Sequence, residues 1–393
     1  MLEWMLAGCA LGILTGLIPG LHPNTLAAMA LLLPISNEHA FNACIGLACM
    51  NVVHAFMECI PSIFTGIPNT DTLSAALPGH RMALNGKGLH AIACMTVGGF
   101  TSGLASLAFF PLYGMFIEKT WEWTRTLIPF LLALTLGALV LDRKKWKEKV
   151  NALICVSASG FLGWMVLRET PIQEPLLPLI TGLFGAGTLA SNLHGNHSLP
   201  VQKTPTLPAS TGLLANGLKG CLAGSAVSLV PALSASEAAL MVQKISPTRK
   251  QSNYLALSTG IAVSNTLFSF AALQYLNKPR SGTAVAIQKI IELNAEQFTT
   301  LSIALAGATA VGGITLILIA PSIAALVQRI PLNKTNAVLL VFLSAMVYAL
   351  SGTQGLIVFG ASALVGMLPS ALHCRKSTCM AALLVPTLYY YLV

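Results

Sequence analysis

Charge is scarce in this sequence: Asp, Glu, Lys and Arg together make up 9% of its 393 residues. A water-soluble domain carries about 25%, because its surface must be wetted. A soluble globular protein is therefore excluded, and the missing charge implies a surface that faces lipid. Alternation of apolar and polar residues is missing as well. The apolar runs are continuous, and many reach the roughly 20 residues a helix needs to cross a hydrocarbon core of about 30 Å. That excludes an outer-membrane barrel and predicts an all-α polytopic bundle. Enzyme signatures are also absent: no Walker A sequence, no HExxH zinc pair and no GxSxG elbow. The chain reads as a non-enzyme without cofactor, and any transport must draw on a gradient or on passive exchange.

What is present is 55% hydrophobic residues and a mean hydropathy of +0.74. The net charge of +9 could suggest nucleic acid, but the basic residues sit in short clusters between apolar runs, as in Arg143, Lys144, Lys145, Lys147 and Lys149. That is the positive-inside pattern of cytoplasmic loops, without the aromatic-interleaved basic face of a nucleic-acid binder. The expected location is the cytoplasmic membrane, crossed many times. The nine cysteines are scattered through apolar runs and indicate no disulfide framework. Around Cys374 and Cys379 the Arg375–Lys376 pair would repel a cation, so His373 there reads as a loop residue rather than a metal ligand. Leu6-Ala7-Gly8-Cys9 mimics a lipoprotein cleavage site. No positive charge precedes it and the apolar run continues to Leu17, so the segment reads as the first membrane helix.

Apolar periodicity and breakers predict about 10–12 transmembrane helices, in two halves, 1–193 and 210–393, joined by a Gly-, Pro-, Ser- and Lys-containing linker at 194–209. The halves resemble each other. Ile18-Pro19-Gly20-Leu21 answers to Val230-Pro231-Ala232-Leu233, Gly46 to Asn51 answers to Gly260 to Asn265, Pro68 to Thr72 answers to Pro279 to Thr283, and Ser159 to Gly163 answers to Ser362 to Gly366. Basic loops occupy opposite phases in the two halves, which predicts antiparallel insertion. Inverted repeats of this kind are a hallmark of secondary transporters.

Each half has a broken helix at the same relative position. Pro19, Gly20 and Pro23 interrupt the first, Pro231 the second, and helix resumes at Asn24-Thr25 and near Ser234, Ser236 and Glu237. Freed backbone is tolerated in a membrane only where protein or a wet cavity surrounds it. Helix N-termini at such breaks suit an anion, so the stretch Pro19, Gly20, Leu21, His22, Pro23, Asn24 and Thr25 is a candidate substrate site; a kinked, capped helix is the alternative. Pro68-Asn69-Thr70-Asp71 and its counterpart Pro279-Arg280-Ser281 read as re-entrant loops or as ordinary extramembrane ones. Asn51 and Asn265 sit at matching places inside apolar helices, where each amide must find a neighbouring helix or a ligand. His54, Glu58 and Glu237 are the clearest ionisable residues in apolar segments and, with Asp71, are candidates for ion coupling. Glu58 lies one turn from His54 on the same face, so the two could pair. A hydrogen bond from His54 to a carbonyl is the alternative.

Gly16-Leu17-Ile18-Pro19-Gly20-Leu21-His22-Pro23-Asn24-Thr25 resembles the GLLPGLGP-type signature of the large permease subunit (TctA) of tripartite tricarboxylate transporters. Ile67-Pro68-Asn69-Thr70, then Pro78 to Ala83 and Gly86-Lys87-Gly88, is similar to that family's IPGT…DGYPMA…G-x-(G/A) stretch. The likeness extends to Gly98-Gly99 and, more thinly, to the C-terminus. Asn69 stands in place of the family's glycine, Pro78 in place of its aspartate, and Ala232 in place of the second-half glycine, as in a divergent, archaeal branch. The resemblance implies import of citrate-like carboxylates on an ion gradient, Na⁺ or H⁺. It also implies a small membrane subunit and an extracytoplasmic binding protein as partners; a homodimer is left open. Carried over, the site is Pro19 to Thr25 with Pro68, Asn69 and Thr70, plus the mates around Pro231 and Pro279.

Three functions follow as expectations. The first is a secondary transporter of an organic anion, di- or tricarboxylate in class, held by the paired broken helices and Arg280. The second is a translocase for a polyprenyl-phosphate lipid carrier, whose phosphate suits the same helix termini. The third is an intramembrane enzyme using His54 and Glu58 as an acid–base pair.

Overall fold

The computed structural model describes residues 1–172, 174–193, 199–204 and 210–392. The described residues form helices and loops, with no strand among them. The expected linker at 194–209 lies largely outside the described residues. Its middle runs along the loop after Leu84, where Lys203 donates its amide to the Gly86 carbonyl.

Among the described residues, six helices are long and apolar enough to cross a membrane: Asn37–Phe64, Gly88–Leu141, Trp146–Glu169, Gln251–Leu276, Ala295–Arg329 and Asn333–Ala371. They differ in what surrounds them. The first and fourth are almost wholly enclosed by protein, whereas the others leave most of their apolar residues uncovered. Phe130 is 72% exposed, Leu318 69% and Leu364 70%. Large apolar side chains left bare in that number require a non-aqueous surround. The chain is a multi-pass, all-α membrane protein.

The first half opens with α1 (Leu2–Leu17) and α2 (Pro23–Ala30), then α3 (Asn37–Met57), α4 (Cys59–Phe64) and α5 (Leu73–Leu84). Small residues let α1 lie directly on α3: Gly8 abuts Gly46, Gly12 abuts Met50, and Gly16 abuts Met57. Those contacts advance together, so α1 and α3 run in the same direction, and the chain must double back between them through α2. The Trp4 and His39 rings, 6.0 Å apart, mark the common starting face. The second half does the same with α10 (Thr211–Val227), α11 (Ala235–Ile245) and α12 (Gln251–Leu276), where Gly212 faces Asn253, Gly220 faces Gly260 and Gly224 faces Ser264. Cys59 meets Thr259, and Ser252 at the start of α12 meets His90, close to where α4 ends. The two hairpins therefore enter from opposite faces of the molecule.

Between them lie α6 (Gly88–Leu141), α7 (Trp146–Glu169) and the short α8 (Leu176–Ile180) and α9 (Gly187–Ser191), joined by a π-helical turn over Thr181–Ala186. Two helices were expected over 89–141; the structure has one run, because Glu118, Lys119 and Thr120 hold no breaker. Straight, it would be about 80 Å long. Yet Gly88 packs on Phe64 and Gln202, and Asp142, just past the other end, bonds Lys244 and Arg375. Both ends reach one face, and the ladder is interrupted by Pro111 and Pro129. The chain continues through α13 (Gly282–Ile290), α14 (Ala295–Arg329) and α15 (Leu332–Ala371). A left-handed Gly352 (φ 63°) breaks α15 where two helices were expected. A 3₁₀ turn, Lys376–Met380, leads into α16 (Ala381–Leu392). Asp142, Lys244, Arg375 and the cluster Arg143 to Lys149 mark what is called here the basic face.

Candidate functional site

Between α1 and α2, and between α10 and α11, the chain passes through a residue of positive φ. Gly20 has φ +85° and its counterpart Ala232 has φ +62°. Gly66 (φ +69°) and Asn277 (φ +51°) likewise occupy matching places before the two Pro-containing loops. A left-handed alanine is costly by about 1–2 kcal/mol, so its presence at the position equivalent to Gly20 says that the turn itself is required.

The breaks and loops surround a cavity of about 420 Å³. Gly20, His22, Asn24 and Thr25 reach it from the first break, Ser234 from the second, and Thr70, Asp71, Arg280 and Ser281 from the two loops. Asn51, His54 and Glu58 line it from one face of α3, and Asn265 from α12. Sequence positions some 200 residues apart thus share one chamber.

Other candidates stand elsewhere. Pro19, Leu21 and Pro23 shape the first break without lining the chamber, and Pro23 is the buried first residue of α2. Pro68 lines a second cavity on the basic face, Ser236 joins it there, and Pro231 faces a third cavity on the opposite side. Asn69 sits behind the wall, where its Nδ2 donates to Glu58 Oε2 at 3.1 Å. Glu237 caps its own helix together with Ser234 and turns toward Asp142 and Lys244.

The helix N-termini expected to await an anion are already satisfied, and mostly from the other half. Asp71 Oδ1 accepts from the Ala235 amide at 2.9 Å, closing the start of α11. Asn24 Oδ1 accepts from the Thr283 amide at 3.1 Å, closing the start of α13. Ser236 Oγ accepts from the Ser74 amide at the start of α5 and donates to the Asp71 carbonyl. At α2 the His22 ring accepts from the Asn24 amide. These crossed caps lock the breaks of one half to the loops of the other, and the free amides a ligand would need are scarce.

Side chains supply the unsatisfied groups instead. The Arg280 guanidinium lies over the Trp121 ring, 4.8 Å from its centroid, with Nε and one terminal nitrogen shielded from solvent and without a partner. Asn51 and Asn265 line the chamber, and neither amide bonds another described side chain or carbonyl. His54 Nδ1 is 3.1 Å from Thr15 Oγ1, and its Nε2, which has no hydrogen-bond partner among the described residues, is 3.6 Å from Glu58 Oε2 on the same face of α3. Glu174 stands at the chamber wall in the loop after α7; burial raises its carboxyl above the usual range, with the Lys289 charge acting against the rise.

Sequence reasoning missed Trp121 and Thr181. Thr181 Oγ1 donates to the Gly20 carbonyl at 3.3 Å, and its methyl group with Leu343 fills the space a Cβ on Gly20 would need. The glycine-rich Gly182 to Gly187 stretch beside it was the available signal. Trp121 offered none, being one exposed-looking aromatic among several.

A family model described as "Tripartite tricarboxylate transporter TctA family" matches residues 2–381. The chain belongs to that family. It is a transport permease rather than an enzyme. The chain is also similar to "Uncharacterized protein MJ1079" of Methanocaldococcus jannaschii, 27% identical over 405 aligned positions that cover 100% of this chain and 99% of the relative. That likeness fits the archaeal branch expected from the departures at Asn69, Pro78 and Ala232. No solved structure matches.

Proposed function

We propose that this TctA-family permease is a secondary active transporter of an organic anion of the di- or tricarboxylate class, working in the cell membrane on a Na⁺ or H⁺ gradient. The single observation that carries the reading is Arg280. A guanidinium with shielded, unpartnered nitrogens at the wall of a polar chamber is a costly arrangement, and a carboxylate would relieve it with charge-assisted hydrogen bonds. The amides of Asn51 and Asn265, which line the chamber, would fix the rest of the ligand without adding charge. Glu58, His54 and Asp71 also line the chamber and form an ionisable group suited to a coupling cation or proton.

The halves would act as inverted repeats around this chamber. Thr70 and Asp71 face it while Leu73 and Ser74 face the cavity of about 840 Å³ on the basic face. The same division separates Ser234 from Ser236. The Asp71–Ala235 and Ser236–Ser74 bonds therefore knit a partition between two compartments, and rearranging it would give alternating access. By the positive-inside rule the basic face is cytoplasmic. A small membrane subunit and an extracytoplasmic binding protein are the partners this reading carries.

Purified protein in liposomes should accumulate labelled citrate or succinate under an imposed Na⁺ or H⁺ gradient, and Arg280→Gln should reduce uptake at sub-saturating substrate at least about tenfold. No uptake across a broad panel of carboxylates, or full uptake by Arg280→Gln, counts against the proposal.

A further inference from the structure

Outside the chamber, on the face opposite the basic one, lies a larger cavity of about 960 Å³. Four cations line it: Arg125, Arg168, Lys278 and Arg280. Arg168 rests on the Tyr389 ring at 4.6 Å, as Arg280 rests on Trp121, so aromatic faces hold both guanidinium planes and leave their N–H edges turned elsewhere. Among the described residues no carboxylate comes within ion-pair distance of any of the four. Unpaired cations gathered on this face run against the charge bias that orients membrane proteins. Arg125, Arg168 and Lys278 are exposed and Arg280 is half-buried, so together they present a positive field to a solute that reaches the cavity. The cavity shares Leu167, Arg280 and Thr387 with the inner chamber, so Arg280 stands at the junction of the two.

We infer that this basic, aromatic-lined cavity is a capture subsite for a soluble organic anion bearing at least two negative charges, which is passed to Arg280 and thence to the inner chamber. The inference rests on the anion-transport reading and adds an entry site to it. Clustered like charges around one recess raise the local concentration of an oppositely charged solute and speed its arrival, an effect that salt weakens. An anionic lipid headgroup offers the same chemistry. The soluble anion is favoured because the recess continues into a polar chamber through Arg280, whereas a headgroup would be held at the rim by its acyl chains.

Trp121 reports on the site directly. In a variant retaining Trp121 alone, with Trp4, Trp123, Trp146 and Trp164 changed to Phe, citrate added to protein in nanodiscs of zwitterionic lipid should shift the emission saturably. The midpoint should rise with ionic strength. Adding Arg168→Gln and Lys278→Gln should move the midpoint at least about tenfold higher, while Arg168→Lys should largely restore it, which a merely misfolded protein would not do. Asn265→Ala, which alters only the inner chamber, should leave the midpoint in place even where it abolishes uptake. Failure of carboxylate uptake with the emission response intact would therefore sink the transport reading alone. The capture site is overturned if citrate gives no response, if the Gln pair leaves the midpoint unmoved, or if only nanodiscs containing phosphatidylglycerol change the emission.

Discussion

At the scale of single residues, the matched turns at Gly20 and Ala232 have opposite sensitivities. Ala232 bears the left-handed penalty of about 1–2 kcal/mol, offset by the smaller freedom that alanine has in the unfolded chain, about 0.4–1 kcal/mol. Ala232→Gly should accordingly raise stability by up to about 1.6 kcal/mol. Gly20→Ala meets the same penalty plus Thr181 Cγ2 at 2.8 Å and Leu343 Cδ2 at 2.9 Å from the new methyl, and should lower stability by more than the turn penalty alone. Thermal unfolding in detergent checks both signs; a stabilised Gly20→Ala would show that the turn is not needed. Residue types explain how much of this could be read in advance. Pro19-Gly20 and Pro231-Ala232 disclosed the breaks because proline cannot donate to a helical ladder, and the four-residue spacing of His54 and Glu58 disclosed that they share a face. Asp71 and Asn24 disclosed only polarity. Their roles as caps for helices in the other half depend on contacts across 164 and 259 residues, which no local pattern encodes.

At the scale of elements, the same crossed caps change what the broken helices do. Open N-termini would have made the backbone the anion site; closed ones make the backbone a partition and leave recognition to Arg280, Asn51 and Asn265. The cap on α11 is a carboxyl, whereas the cap on α13 is an amide that carries no charge. Only the Asp71 side can therefore respond to a proton or cation. Asp71→Asn keeps an acceptor for the Ala235 amide and removes the charge, so the partition should hold while uptake ceases to follow the imposed ion gradient. Asp71→Ala removes the cap, costing about 1 kcal/mol or more, and should loosen the partition itself. The two can be told apart with a cysteine at Thr70, on the chamber side, in a Cys374→Ser background; the remaining native cysteines are buried. Reagent supplied from the basic face should label Thr70→Cys readily in Asp71→Ala and slowly in Asp71→Asn. Equal labelling in both would show that the cap does not close the path.

At the scale of the whole molecule, the partition has a counterpart at the basic face, where Asp142 ties the end of α6 to the second half. Its carboxylate is 3.0 Å from Lys244 Nζ and 3.2 Å from Arg375 NH1. Partial burial acts to raise the Asp142 carboxyl, but hydrogen bonds and charge from Lys244 and Arg375 outweigh it, and the group ends below the usual carboxylate range. A carboxyl depressed in the folded state binds its proton more weakly there than in the unfolded chain. The clamp's contribution is therefore complete above the ordinary carboxylate range and disappears as pH falls through the lower folded value. Lys244 and Arg375 are about half exposed, so water and salt screen the pairs and the contribution should stay below about 1 kcal/mol. Thermal unfolding of the wild type and Asp142→Asn should differ slightly at neutral pH, converge in acid below the carboxylate range, and converge at neutral pH when salt is raised. A gap that persisted in acid would mean that the asparagine disturbs packing rather than charge, and the two halves would then be held at this face by something other than the ion pairs.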